Sequence, residues 1–328
     1  MKNNENQKII FLLILIILLF NIEFYFYKYY LYCLNCHKKI IENQKCYYCS
    51  SKILFKGLQI FSDDTTLNEI INNNKSISRF SDGEFKMIFG KGIGFQDYDN
   101  ILSQKLIKVL NSNEKNLLIG LNIPYKEKDL QKLTISVRNY WINYLNRYQL
   151  NLSQLINKKR KYYSATISRF YMRYKDKSIK NIKKYIKKLK TIWDHKNILI
   201  IEGEKSRLGI GNDLFNNVKS IKRIICPIKN AFYVYDKIIK EVKKLKENRL
   251  ILIALGPTAS ILAYDLYKLG YQSIDIGHVD IEYEWFIRNC TKVVPIENKY
   301  VNEAPIKFKV KKTKLNNYYS QIISKILK

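Results

Sequence analysis

From Leu250 to Leu255 the chain reads LILIAL, six residues without a polar side chain. Such a run is too short for a typical helix and fits a strand buried on both faces. Gly256-Pro257-Thr258 breaks it, and Thr258 is placed to cap the helix that follows. Ile261, Leu262, Leu266 and Leu269 share one helical face, Gly270 stops the turn, and Ser273–Ile276 reads as a second short strand. A strand–helix–strand crossover of this kind is the unit of a parallel sheet. The alternation recurs along the chain. Strands are expected at Ser76–Phe80, Leu117–Leu121, Asn197–Ile201 and Ile221–Cys226, with helical periods between them, the clearest at 178–193 and 231–247. The pattern predicts an α/β domain over residues 57–300, its mostly parallel sheet flanked by helices. A basic tail at 301–328 follows, ending in a short amphipathic helix.

The first 56 residues follow a different pattern. Ile9–Phe20 is wholly apolar, and the run continues through Ile22 to the aromatic cluster Phe24–Tyr27. That reaches the ~20 residues a membrane span needs, with aromatic rings at headgroup depth. No small-x-small cleavage site follows it, so residues 1–30 read as an uncleaved anchor rather than a signal peptide. Lys28, Lys38, Lys39 and Lys45 lie just beyond, which puts the catalytic part of the chain in the cytoplasm. Residues 31–56 hold Cys33-x-x-Cys36 and Cys46-x-x-Cys49. Two such knuckles make a thiolate set for one structural Zn²⁺, with two disulfides as the other reading if the segment is extracytoplasmic.

Charge changes this picture less than its size suggests. The net charge of +30 implies an anionic partner: nucleic acid, a phospholipid surface or a phosphorylated substrate. Lysine is nevertheless spread over the whole chain, with Asn, Ile and Tyr equally abundant, as an AT-rich coding sequence gives. A solvated lysine surface therefore explains the charge as well as a nucleic-acid partner does.

Candidate chemistry gathers where strands end. After Ser273–Ile276 come His278, Asp280, Glu282 and Glu284, with Asp275 inside the strand. Ligands of open α/β sheets bind at that carboxyl edge. If the segment is extended, His278, Asp280, Glu282 and Glu284 share a face; if it turns helical, His278 pairs with Glu282. Asp82 and Glu84 follow the strand Ser76–Phe80 and its Arg79. Two carboxylates one residue apart suit Mg²⁺ or Mn²⁺ carrying a phosphate, and suit a capped turn equally well. After Asn197–Ile201 the loop Glu202–Asp213 bears Gly209 and Gly211 and offers backbone amides to an anion. Its spacing is neither a Walker loop nor a dinucleotide fingerprint. In the stretch Tyr162–Tyr174, Arg169 and Arg173 are placed to meet phosphates.

Four stretches together carry a family resemblance. Arg79–Glu84, Glu202–Phe215, Leu255–Ala259 and Asp275–Trp285 are similar, in order, to the motifs of the GT-D-type glycosyltransferases, sugar-nucleotide enzymes of bacterial surface and adhesin glycosylation. The resemblance covers roughly residues 75–295. It implies a Rossmann-like α/β fold, a UDP-sugar donor, a glycan or glycoprotein acceptor, and Mn²⁺ or a similar ion on Asp82 and Glu84. On this reading Arg79, Arg207, Gly209, Gly211, Asn212, Asp213, Gly256 and Thr258 hold the donor. Glu284, farthest from the strand end, is the expected base toward the acceptor, with His278 beside the diphosphate as metal ligand or hydrogen-bond donor. Two other functions use the same residues. A zinc-ribbon protein would bind polynucleotides with steep salt dependence, and a metal-dependent phosphohydrolase would release phosphate without an acceptor.

Overall fold

The structure, a computed structural model, describes residues 52–245, 247–304 and 316–327. It also gives the backbone of one antiparallel ladder, β1 (Tyr30–Tyr32) with β2 (Lys39–Ile41). The expected anchor run and Cys33, Cys36, Cys46 and Cys49 lie outside the described residues. Among the described residues no helix is long and apolar enough to cross a membrane.

The described chain falls into two compact units. The smaller contains α4 (Glu127–Gln131) and α5 (Ile135–Leu155). On α5 the side chains of Trp141, Tyr144 and Tyr148 follow one another at helical spacing, ring centroids 5.4 and 4.8 Å apart.

The larger unit is an α/β sheet domain. Its first part comprises β3 (Gln59–Ile60), α1 (Asp63–Asn72), β4 (Ser76–Phe80), α2 (Asp82–Ile88), α3 (Asn100–Asn111), β5 (Leu117–Leu121) and β6 (Lys161–Ser164). Then come α6 (Ile179–Lys190), β7 (Asn197–Gly203), β8 (Ser220–Cys226), α7 (Tyr235–Lys243), β9 (Leu250–Ala254), α8 (Pro257–Lys268), β10 (Ser273–Asp275) and α9 (Val279–Ile287). α10 (Asn316–Ser320) and β11 (Ile322–Lys325) end it. The strand order is β11-β8-β7-β9-β10-β4-β5-β6-β3, and every pairing is parallel. The expected final helix is thus a single short piece, and the chain goes on to add an edge strand beside β8.

The apolar runs behave as their composition requires. β5 is buried at all five positions, and Ile198–Ile201 of β7 are fully covered. Leu67 and Ile70 of α1, Ile182, Ile186 and Leu189 of α6, and Val279, Ile281 and Trp285 of α9 share one core. α3 and α7 pack on α8 over the other face, as right-handed crossovers demand. The two lysine-faced helices, α6 and α7, therefore lie on opposite sides of the sheet, and their charge is not gathered into one stripe.

Candidate active site

From β4 the chain moves on toward β5, whereas from β10 it leaves in the opposite direction and returns at the far edge as β11. β4 and β10 are neighbours, so the crevice beyond their carboxyl ends is a topological switch point. Arg79, Asp82 and Glu84 reach it from β4 and α2, and Asp275, Gly277 and His278 from β10.

Arg79 and Asp275 form its floor. Arg79 Nη2 donates to Asp275 Oδ1 at 2.7 Å, and Nη1 donates to Ala165 O at 2.9 Å and Ser168 Oγ at 2.6 Å. Arg79 is thus turned inward, away from the donor-holding place expected of it. Burial pushes the Asp275 carboxyl up, against the pull of Arg79. The pair fits only beneath a glycine. Gly277 has φ +46°, and a Cβ there would lie 2.1 Å from Arg79 Nη2. Gly277→Ala is therefore expected to cost about 3 kcal/mol by prising apart a buried ion pair, read as a lowered urea midpoint. An unchanged midpoint would show that Arg79 has room to move.

Beside this floor, Ser81 opens α2 with a capping box. Glu84 Oε2 accepts from Ser81 N–H at 2.8 Å, while Ser81 Oγ meets Asp82 Oδ1 at 3.1 Å and accepts from Asn122 Nδ2 at 2.9 Å. The capped-turn reading of the Asp-x-Glu pair is thus realised, and the box uses one oxygen of Glu84. Burial, then the nearby Asp275 and Asp82 carboxylates, push Glu84 up to about 7 against the Ser81 N–H. Three carboxylates crowd one edge here, a charge conflict that a hard divalent cation relieves. Among the described residues no three His, Cys, Asp or Glu side chains form a metal cluster. Two carboxylates with substrate phosphates and water still suit Mg²⁺ or Mn²⁺.

The acidic run after β10 turns helical, and its carboxylates are buried. Glu282 accepts the Tyr171 and Met172 backbone N–H groups, both at 2.8 Å. Asp280 and Glu284 grip Lys299 Nζ at 2.6 and 2.9 Å and Asn212 Nδ2 at 2.8 and 2.7 Å. Asp280 also accepts Gly209 N–H at 2.8 Å, and Glu284 accepts from Arg288 Nε at 3.0 Å. Glu284 is only 1% exposed. Burial would raise its carboxyl, but Lys299, with Asn212 and Arg288, holds it below the usual range. Distance along the chain from the strand end suggested a solvent-facing base. The helix instead turns Glu284 under the loop after β7, where its oxygens are already spent.

That loop is likewise tied inward. Gly209 and Asn212 serve Asp280 and Glu284, while Asp213 accepts the Tyr283 hydroxyl at 2.6 Å. Arg207 and Gly211 line a cavity of about 220 Å³ together with Glu284, Arg288, Glu297 and Lys299. At the next turn, α8 is capped by Gly256 with Pro257 first in the helix, so Thr258 is not the N-cap but lies one residue further in. The Phe95 ring sits 2.3 Å from where a Gly256 Cβ would be, so the loop after α2 covers this turn. Thr258 Oγ1 is buried there with no hydrogen-bond partner among the described residues.

Of the predicted residues, Asp82, Glu84 and His278 follow the carboxyl ends of the neighbouring strands β4 and β10. Arg207, Gly209, Gly211, Asn212, Asp213 and Glu284 belong to a second cluster, on the β7 side. Sequence reasoning missed Lys299 and Glu303, because in a chain with 58 Lys and Arg residues no local pattern marks one cation or its partner.

What the sheet and its switch-point crevice define is an α/β glycosyltransferase fold. A family model for the glycosyltransferase GT-D fold matches residues 77–304. The chain is 37% identical over 274 residues to a probable glycosyl transferase, Gly, of Streptococcus gordonii, and 36% identical over 271 residues to glycosyltransferase GlyD of Streptococcus pneumoniae. Those matches cover 83% and 82% of this chain but only 39% and 33% of the relatives' own lengths. A solved structure described as a new glycosyltransferase from Streptococcus sanguinis superposes with a TM-score of 0.75 at 35% identity, covering 82% of this chain and 99% of that one. Another, described as a domain of unknown function with a distinct glycosyltransferase fold, gives 0.79 at 35% identity over 86% of this chain and 100% of that one. The chain belongs to the GT-D glycosyltransferase family.

Proposed function

We infer that this protein transfers a sugar from a nucleotide sugar, a UDP-sugar on the family reading, to a hydroxyl of a glycan or glycoprotein. The observation that carries the reading is the crowding of Asp82, Glu84 and Asp275 at the switch point, where burial and then the two neighbouring carboxylates push Glu84 up to about 7. Asp82 and Glu84 would hold Mn²⁺ or Mg²⁺. Such an ion neutralises the diphosphate as it departs. Arg79 and Asp275 keep the floor of the crevice rigid through their buried pair. His278, 26% exposed at the side chain, replaces Glu284 as the group that takes the acceptor's proton, because Glu284 is buried and already paired.

The test is to incubate the purified protein with a panel of nucleotide sugars, Mn²⁺ and glycan or glycopeptide acceptors. Release of nucleoside diphosphate that depends on the acceptor supports the reading. Acceptor-independent release of inorganic phosphate would instead make it a phosphohydrolase, and no turnover with any donor would remove the enzyme reading.

A further inference from the structure

Glu303 lies in the segment after α9, 25 residues along the chain from His278. Its two oxygens meet two different partners. Oε2 is 2.9 Å from His278 Nε2, and Oε1 accepts from Arg169 Nη2 at 2.9 Å. The three side chains are 26–32% exposed, so the chain of contacts stands at the rim of the crevice and not in the core. Burial works to raise the Glu303 carboxyl, but His278 and Arg169 outweigh it and hold it well below the usual carboxylate range. An ionised carboxylate only accepts hydrogen, so the imidazole nitrogen facing it carries one. Neutral His278 is then protonated at Nε2, and its lone pair is on Nδ1.

We propose that Glu303 is a positioning residue: it fixes His278 as the Nε2–H tautomer, makes Nδ1 the atom that takes the acceptor's proton, and stabilises the imidazolium that results. This deepens the transferase reading and rests on it. In the step, the acceptor O–H bond breaks and its proton goes to Nδ1. The acceptor oxygen bonds to the anomeric carbon, and the bond from that carbon to the diphosphate oxygen breaks. The nucleoside diphosphate leaves with the electron pair. Arg169 holds the second oxygen of Glu303, and it also feels Glu282 and Asp82. The other charged and titratable groups around the pair are Tyr300 beside Glu303, the Arg79–Asp275 pair against Gly277, and Asp82 and Glu84 on the neighbouring strand end. Among the described contacts none of these touches the imidazole, whereas Glu303 does.

Ring-nitrogen NMR decides the tautomer without any turnover. The chain has three histidines, and the His278 signals are those lost in His278→Gln. The unaltered protein is expected to show His278 protonated at Nε2, and Glu303→Gln to lose that preference. In kinetics, Glu303→Gln should lower kcat about 10–100-fold with donor KM changed less than about threefold. Glu303→Asp should recover most of the rate. His278 found protonated at Nδ1 in the unaltered protein overturns the proposal, even if Glu303→Gln does not fold. So does turnover of Glu303→Gln within about twofold of normal. Full activity in His278→Gln would remove the histidine as base, and absence of sugar transfer by the unaltered protein would remove the transferase reading. Either result takes the catalytic role of Glu303 with it, while the tautomer measurement still reports whether the contact was correctly assigned.

Discussion

Asp82→Ala is expected to reduce turnover about 10²–10³-fold and to abolish the Mn²⁺ dependence of donor binding, with the fold left intact. Asp82 is partly exposed, and its ion pair with Lys86 spans 3.5 Å at 29% and 33% exposure. Such a pair contributes about 0–1 kcal/mol, so losing it does not unfold the protein. The neighbouring carboxylate needs a gentler substitution. Glu84→Ala would also remove the capping box of α2, at about 1 kcal/mol, and so confuse two effects. Glu84→Gln keeps an oxygen for the Ser81 N–H, since glutamine also serves at that position. It removes only the charge, and it should match Asp82→Ala in activity while melting no lower than the unaltered protein, since the ionised carboxyl is buried beside two others. Donor titration calorimetry with and without Mn²⁺, alongside thermal melts, reads both effects. Normal turnover in Asp82→Ala, or full activity in excess EDTA, would dispose of the metal.

The largest loss of stability is expected from Lys299→Met. Lys299 is 5% exposed and lies between Asp280, 2% exposed, and Glu284, 1% exposed. Removing the ammonium leaves two buried carboxylates with Asn212 shared between them, and breaking a buried pair in this way costs about 3–5 kcal/mol. The sign of the pH effect follows from Glu284. Its carboxyl is held below its ordinary value, so the stability it contributes is present above the unfolded pKa and is lost as pH falls through the folded one. The deficit of Lys299→Met should therefore be full near pH 7 and shrink below about pH 4.5, where the orphaned carboxyl protonates at little cost. Urea unfolding at the two pH values measures it. A deficit that does not change with pH would mean that Lys299 acts through packing of its stem and not through charge.

Both variants show how unevenly the site was written into the chain. Asp82 and Glu84 were legible because they are one residue apart and follow directly on a strand whose apolar pattern is plain. The carboxylates after β10 were legible as a cluster but not as roles. Spacing offers a helix and an extended face alike, and the choice falls to the packing of Val279, Ile281 and Trp285 into the core. Once the segment is helical, Glu282 finds the Tyr171 and Met172 amides, and Asp280 and Glu284 find Lys299. The edge strand β11 was missed for a related reason. IISK is four residues long and places its two apolar residues side by side, so no period-2 pattern marks it, and it becomes a strand by pairing with β8.

Alone, the sequence determined the α/β class, the parallel crossover from β9 to β10 and the family, and it put Asp82 and Glu84 just beyond a strand end. Those follow from apolar runs, glycine breaks and short motifs, all of them local. The tertiary structure alone decided which charged groups remain available. Arg79 and Glu284, both expected to meet substrate, are consumed by Asp275 and Lys299, whereas His278 is matched with Glu303 at the rim. The physical reason is that a buried charge is governed by its partners, and those partners lie up to 196 residues away along the chain.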